Sequence, residues 1–404
     1  MKNSSKKILA IETSCDETSI ALLEFSGDFP NNDVAVHSHI IASQAALHAQ
    51  YGGVYPDLAK KEHTKSLPIV LEQSLKESGL FIAKTSSQIL QNLRMKILRF
   101  RLKKLFQREP AMFEKTWEII SSIEKPDIDA VMVTYGPGLT PALWTGINFA
   151  RGLSLAWNIP IIPTHHMKGH IWSIFATGRN FKLYRPSFPL LVLLVSGGHT
   201  QLVLVRDFDD YELLGETLDD AVGEAFDKVA RDLNLTYPGG PHIEKIAAEH
   251  VFDEKSETIK LPRPMIATED YNFSFSGLKT AVHYLVRDLE KTHGSIFENK
   301  PLLAHIAYEF QSAVTDVLVK KTARAIKNYQ PTELIIAGGV SANKHIAKAF
   351  HNLGVEHNIP ITLPPRELTG DNALMIGIAG WIEMTAEKKK YNTSTIRAHG
   401  RLPY

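Results

Sequence analysis

Short apolar runs separated by small polar turns set the pattern at both ends of the chain. Residues 7–13 form one run and residues 19–24 a second, with Ser14-Cys15-Asp16-Glu17-Thr18 between them. Strand, polar turn, strand predicts a hairpin, and such a turn can wrap an anion with backbone N–H groups. Residues 129–134 and 159–163 read as buried strands. Between them lie a sharp turn, Tyr135-Gly136-Pro137-Gly138, and a helix over 141–156. Strands alternating with helices predict a mostly parallel α/β layer. The run 190–195, the turn Ser196-Gly197-Gly198-His199-Thr200 and the strand 201–205 repeat the layout of residues 7–24. Two such hairpins predict a duplicated fold with a ligand between two lobes.

Helical spacing fills much of the remainder. Leu58, Leu67, Val70, Leu71 and Leu75 predict an amphipathic helix over 57–77. Further helices are expected over 219–233, 300–328 and 373–386. The stretches 237–241, 262–265 and 272–279 read as turn and loop, and 178–189 as a domain boundary. The strand 333–337 runs into Gly338-Gly339-Val340-Ser341-Ala342-Asn343, where another helix opens. Glycines at a strand-to-helix turn let a ligand approach the backbone, and the helix N-terminus favours negative charge.

Residues 80–125 differ in character. From Lys84 to Arg108 there are eight basic residues and no acid. Leu98, Leu102 and Leu105 recur at i, i+4, i+7, and Leu90, Leu93 and Ile97 at i, i+3, i+7. This predicts a basic amphipathic helix stopped by Pro110, then a second helix over 111–123 with Phe113 and Trp117. The pair reads as an inserted helical hairpin with a solvated basic face, or as a contact for a phosphate backbone.

Composition narrows the classes. The chain has 404 residues, 44% of them hydrophobic, enough for one large or two medium cores. Lys plus Arg number 45 and Asp plus Glu 44, so a polynucleotide partner must meet a local patch. Cys15 is the only cysteine, which excludes an intrachain disulfide and suits a reducing cytoplasm. Neither a signal peptide nor an apolar run of membrane-spanning length is expected.

Candidate chemistry concentrates in Thr164-His165-His166-Met167-Lys168-Gly169-His170. On a helix, His166 and His170 share one face and can act as paired metal ligands. Zinc proteases space histidines the same way but carry a Glu after the first as general base; here that position is Met167. Histidines at a strand–helix junction can also simply cap the helix. Asp371, before the 373–386 helix, reads as an N-cap, the commoner role for an Asp so placed.

Five segments then carry a resemblance. They are Glu12-Thr13-Ser14-Cys15-Asp16-Glu17-Thr18, His165-His166-Met167-Lys168-Gly169-His170, Leu194-Val195-Ser196-Gly197-Gly198-His199-Thr200, Gly338-Gly339-Val340-Ser341-Ala342-Asn343 and Gly370-Asp371-Asn372. In this order the chain resembles the TsaD family of tRNA threonylcarbamoyladenosine transferases, over nearly all its length except 80–125. The resemblance implies an α/β protein of the actin-like ATPase and sugar-kinase fold. It implies two lobes, 1–184 and 185–404, each a mixed sheet flanked by helices, with the ligand in the cleft between them and the last helix able to pack on the first lobe. It implies transfer of a threonylcarbamoyl group from threonylcarbamoyl-AMP to N6 of adenosine at position 37 of tRNAs reading ANN codons.

By the same resemblance, His166, His170 and Asp371 bind one divalent metal ion, Fe2+ first, with Zn2+ or Mg2+ as alternatives. Leu194, Val195, Ser196, Gly197, Gly198, Asp227, Gly240 and Asn343 contact the adenylate. Asp16 and Glu17 are the candidates to orient or deprotonate the incoming amine, though both could instead form the turn or bind water. A paralogous TsaB-like protein and a TsaE-like ATPase are the implied partners. The chain departs from the family pattern at Thr140-Pro141-Ala142-Leu143-Trp144-Thr145-Gly146, where small residues and a Val-Gly are usual. An ATPase or small-molecule kinase of the same superfamily, a metalloprotease and a non-catalytic scaffold are the competing readings.

Overall fold

The computed structural model describes residues 5–85, 93–251, 259–386 and 395–404. In chain order the strands and helices are β1 (Lys6–Glu12), β2 (Glu17–Ser26), β3 (Asp33–Ser43), α1 (Ala45–Ala49), α2 (Pro56–Glu77), α3 (Leu93–Leu105), α4 (Pro110–Ser122), β4 (Ala130–Gly136), α5 (Thr140–Trp157), β5 (Ile161–His165), α6 (His166–Trp172) and β6 (Asn180–Lys182). There follow β7 (Leu190–Val195), β8 (Thr200–Asp207), β9 (Asp210–Glu216), α7 (Val222–Asp232), α8 (Gly239–Ala247), α9 (Ser276–His293), α10 (Lys300–Tyr329), β10 (Glu333–Ala337), α11 (Lys344–His357), β11 (Ile361–Thr362) and α12 (Ala373–Ala386). They form two compact units. One comprises Met1–Ala45, Val54–Pro186 and Asp371–Tyr404; the other comprises Ala46–Gly53 and Ser187–Gly370.

The first unit holds a six-stranded mixed sheet in the order β5-β4-β1-β2-β3-β6. β1 pairs antiparallel with β2 and parallel with β4. The buried run Ile8–Glu12 and the fully apolar Val131, Met132 and Val133 fit strands covered on both faces. The helix α12 is apolar around nearly its whole circumference and lies buried on this sheet. Its close approach depends on glycine: a Cβ at Gly380 would sit 2.5 Å from both Met132 Sδ and Thr164 Oγ1.

The second unit repeats the plan as β11-β10-β7-β8-β9. Here too a central strand, β7, pairs antiparallel with its hairpin partner β8 and parallel with β10. The two sheets share one order, hairpin on one side and parallel strands on the other, as the repeated layout in sequence predicts. Helix α7 buries Val222, Ala225, Phe226, Val229 and Ala230, the i, i+3, i+4, i+7, i+8 stripe of an amphipathic helix.

Several local expectations need correction. Residues 239–247 form α8, although Tyr237-Pro238-Gly239-Gly240-Pro241 reads as a turn: the glycines sit in the helix's first turn, where Gly239 packs onto α7. Residues 276–279 open α9 rather than continuing a loop. Asp219, expected inside a helix, lies before α7 and accepts hydrogen bonds from the Phe275 and Ser276 amides at the start of α9 (2.8 and 3.2 Å). In the basic stretch Leu102 is buried and Leu98 and Leu105 pack against the core, as expected, but Ile97 is exposed. Leu90, expected in a second apolar stripe, lies outside the described residues.

Candidate metal centre and glycine turns

Strand β5 passes into α6 without a loop. His165 is the N-cap, its Nδ1 accepting the Met167 N–H at 3.2 Å. Its Nε2 donates to the Leu402 carbonyl at 3.3 Å, and burial with the nearby Lys168 charge lowers its pKa to about 3. Of the three histidines, this one has the capping role. His166 and His170 then fall on one helix face, with ring centroids 4.8 Å apart.

Both Nε2 atoms converge on one oxygen. His166 Nε2 lies 3.4 Å and His170 Nε2 3.1 Å from Asp371 Oδ1. Asp371 is free to turn this way because Asn372 caps α12, its Oδ1 accepting the Met375 N–H at 3.0 Å. The Ala373 N–H is taken by Ser19 Oγ at 3.0 Å. Neither of those helix-terminal amides is bonded by Asp371. Its other oxygen, Oδ2, accepts a 3.3 Å bond from Ser14 Oγ in the first hairpin turn.

Behind His166 stands Glu12, fully buried at the end of β1. Glu12 accepts hydrogen bonds from the Ser14 N–H and the Thr134 hydroxyl, and its Oε2 lies 3.2 Å from His166 Nδ1. A carboxylate on the rear nitrogen fixes ring orientation and leaves Nε2 facing forward, the usual support for a metal-bound histidine. Burial opposes charge on His166, but the Asp371 and Glu12 carboxylates outweigh it and raise its pKa to about 10. For Asp371 burial works upward, yet the two imidazoles hold the carboxyl well below its usual range.

A cation fits this donor set. Ligand atoms of His166, His170 and Asp371 lie within 4.8 Å of one another, the only such cluster among the described residues. His170 Nδ1 is buried without a hydrogen-bond partner, so no protein group competes to turn that ring away. Two imidazoles and a carboxylate suit Fe2+ or Zn2+ and leave coordination positions open. The glutamate that zinc proteases carry after the first histidine is absent: Met167 stands there, Glu12 is engaged behind His166, and Glu383 accepts from the His165 N–H and faces Lys168 Nζ at 3.5 Å.

Asp16 ends the turn that holds Ser14, and Glu17 opens β2. Burial, then the Asp16 and Asp371 charges, push the Glu17 carboxyl well above its usual range. The turn is tied down by His63 of α2, which the sequence pattern does not single out. Its Nδ1 accepts from the Thr18 hydroxyl at 2.7 Å and its Nε2 donates to the Cys15 carbonyl at 2.9 Å. Glu12 stands in the first of the five segments, but nothing in that segment gives it a role. Both act across more than 40 residues of sequence, beyond the reach of local periodicity.

In the second unit, Ser196, Gly197 and Gly198 form the β7–β8 turn, closed by the Ser196 N–H to His199 carbonyl bond at 2.8 Å. A Cβ at Gly197, Gly198, Gly240 or Gly339 would meet nothing within 4 Å. Leu194 and Val195 are buried within β7 and hold this turn in place. Asp227 Oδ1 accepts the Gly239 N–H at 2.7 Å, joining α7 to the start of α8 beside Gly240. Asn343 caps α11 through the Ile346 N–H (3.0 Å) and donates to Gln311 Oε1 (2.7 Å). Its capping role is therefore real, and it leaves only part of the amide for a ligand.

The fold and site define a class of two-sheet α/β protein with a histidine–carboxylate cluster able to hold a cation in one unit and exposed glycine turns in the other. The sequence profile described as "TsaD: tRNA N6-adenosine threonylcarbamoyltransferase" matches residues 35–86 and 112–378. A tRNA N6-adenosine threonylcarbamoyltransferase of Thermosipho africanus is 39% identical over 374 residues, 93% of each chain. One of Bacillus subtilis is 37% identical over 377 residues, 93% of this chain and 90% of that one. Among solved structures, full-length HypF in the phosphate- and nucleotide-bound form aligns with a TM-score of 0.50 at 10% identity. That match covers 96% of this chain and 47% of HypF, and it speaks for the fold alone. The chain belongs to the TsaD family. Among its described residues, no helix is long and apolar enough to cross a membrane.

Proposed function

We propose that the chain transfers the threonylcarbamoyl group of threonylcarbamoyl-AMP to N6 of adenosine 37 in tRNAs reading ANN codons and releases AMP. Membership of the family supports the reaction. The observation that carries the reading of the site is the convergence of His166, His170 and Asp371, with helix capping left to Asn372. When bound there, a divalent cation, Fe2+ foremost, would supply Lewis-acid polarisation of the carbamoyl carbonyl or of the departing phosphate.

The chain's own groups do the rest. N6 attacks the carbamoyl carbon, the bond from that carbon to the phosphate oxygen breaks, and the amine proton passes to the carboxyl pair Asp16–Glu17. Burial, and then the Asp16 and Asp371 charges, raise the Glu17 carboxyl, which favours taking up a proton there, as general acid–base work requires. In the second unit, the open faces of Gly197, Gly198, Gly240 and Gly339 give backbone N–H groups room to approach the adenylate. Asp227 and Asn343 hold the adjoining helix starts, and Leu194, Val195 and Ser196 set the turn. A paralogous TsaB-like protein and a TsaE-like ATPase are the proposed partners, on the strength of the motifs, in the cytoplasm.

The test supplies threonine, bicarbonate, ATP, a source of the adenylate and unmodified tRNA, then reads nucleosides by mass spectrometry. The parent should form threonylcarbamoyladenosine and His170→Ala should not. ATP hydrolysis without the modified nucleoside would instead support an ATPase or kinase.

A further inference from the structure

The profile match breaks between residues 86 and 112, and the intervening stretch contains α3. This helix is firmly attached within the first unit. Leu102 and Phe106 are buried, and Gly152 of α5 makes room for them: a Cβ there would lie 2.5 Å from Phe106 Cζ. Burial of two such side chains contributes about 1.5–3 kcal/mol each, enough to hold one face of α3 down. Farther toward the N-terminus of α5, Gly146 packs on Thr13, and Leu139 donates from its N–H to the Ser14 carbonyl at 2.7 Å. Gly146 and Gly152 are six residues apart on α5, which is about 9 Å at the helical rise. One rigid helix thus carries both the insertion and the turn beside the metal centre.

The opposite face of α3 is exposed and basic. Lys84 is spent inside the unit, its Nζ donating to the Ile120 and Ser121 carbonyls at 3.1 Å each. Arg99 lies over the Trp117 ring at 5.7 Å. Lys96, Arg101, Lys103 and Lys104 are exposed and make no ion pair among the described residues. At i, i+4 and i+7 spacings they share the outward side with Ile97, 50% exposed, and Phe100, 71% exposed. Four unpaired cations around an exposed aromatic ring match what single-stranded nucleic acid presents, phosphates and a base face. On a chain of net charge +1 the patch is local and sits on the unit that carries the metal cluster.

We propose that α3 is an added tRNA-binding element: its outward cations contact phosphates of the tRNA, and Phe100 offers a stacking face to an unpaired base. The proposal rests on tRNA as the substrate. The test measures binding of unmodified tRNA by fluorescence anisotropy, for the full chain and for Lys96→Gln/Arg101→Gln/Lys103→Gln/Lys104→Gln, from about 50 to 200 mM salt. The substituted side chains are exposed, so thermal unfolding should match the parent. The variant should bind at least about tenfold more weakly at the low-salt end, and its log–log salt slope should fall by roughly 0.7–0.9 for each phosphate it no longer neutralises. Phe100→Ala should weaken binding roughly tenfold with the slope unchanged.

Equal affinity and slope in parent and quadruple variant overturn the proposal while leaving the tRNA substrate intact. A parent that binds no tRNA at any salt overturns both. Loss of binding to phosphatidylglycerol vesicles, with tRNA binding untouched, would assign the face to an anionic membrane surface instead.

Discussion

The two hairpin turns hold the same place in two sheets of one strand order, yet they are built in opposite ways. The first, Thr13 to Glu17, is crowded. A Cβ at Gly138 would lie 2.8 Å from Ser14, Gly146 presses on Thr13, and His63 bonds both flanks. It is also rich in acid: Glu12 stands behind His166, and Glu17 feels the Asp16 and Asp371 charges. The second, Ser196 to His199, is backed by Gly223 and Gly338, but Gly197 and Gly198 face open space. A duplicated frame has thus been specialised twice. One turn holds side chains and charge in fixed positions beside the His166–His170–Asp371 cluster, and the other leaves the backbone of two glycines bare.

The largest expected effects come from the crowded side. His166→Ala and His170→Ala should each lower bound metal and transferase activity by more than about 100-fold while the chain stays folded, and Glu12→Gln should cost about 10–100-fold in metal affinity by freeing the His166 ring. Metal content by mass spectrometry checks all three. Unchanged content in Glu12→Gln would mean the buried carboxylate only satisfies Thr134 and Ser14.

On the bare side the effect should be on binding. Gly197→Val should leave stability within about 0.5 kcal/mol but weaken a non-hydrolysable adenylate analogue by roughly tenfold or more, read by calorimetry. Gly338→Ala should do the reverse in kind. Its φ of +94° and the approach of Val195 O, 2.6 Å from a Cβ, make it a strained position. The loss should be about 1–3 kcal/mol in chemical denaturation. If Gly197→Val destabilises as much as Gly338→Ala, the two turns do not differ as described.

The smallest effect concerns stored charge. Glu17 has its folded-state pKa raised above the ordinary 4.5, first by burial and then by Asp16 and Asp371. The neutral form is therefore favoured in the fold. Its stabilising contribution is complete below about pH 4.5 and is lost as pH rises through the raised value. Glu17→Gln should stabilise the metal-free chain at pH 7–8 relative to the parent, by on the order of 1 kcal/mol, and make little difference near pH 4. Equal effects at both pH values would point to packing rather than charge.

Much of this frame is legible in the sequence because apolar runs and helical spacing are local. The strands 190–195 and 333–337 and the helix 373–386 stand where the pattern puts them. Strand β3 is not legible, since His37, Ser38 and His39 interrupt its apolar alternation. Proline and glycine mask the start of α8, although glycine in a first turn, packed on a neighbour, is compatible with a helix. At the metal cluster the i, i+4 histidines announce themselves. Glu12, Ser14 and His63 do not, because their roles depend on partners 45 to 357 residues away.

The distinction between Asp371 and Asn372 tests the central claim most directly, because neighbouring residues have been given different work. Metal bound per chain should be measured in Asp371→Ala and Asn372→Ala after reconstitution with Fe2+. Asp371→Ala should lose the ion and keep its fold. Asn372→Ala should keep the ion and lose about 1 kcal/mol of stability as a missing helix cap. Full metal in Asp371→Ala, with the cap penalty falling there instead, would contradict the account.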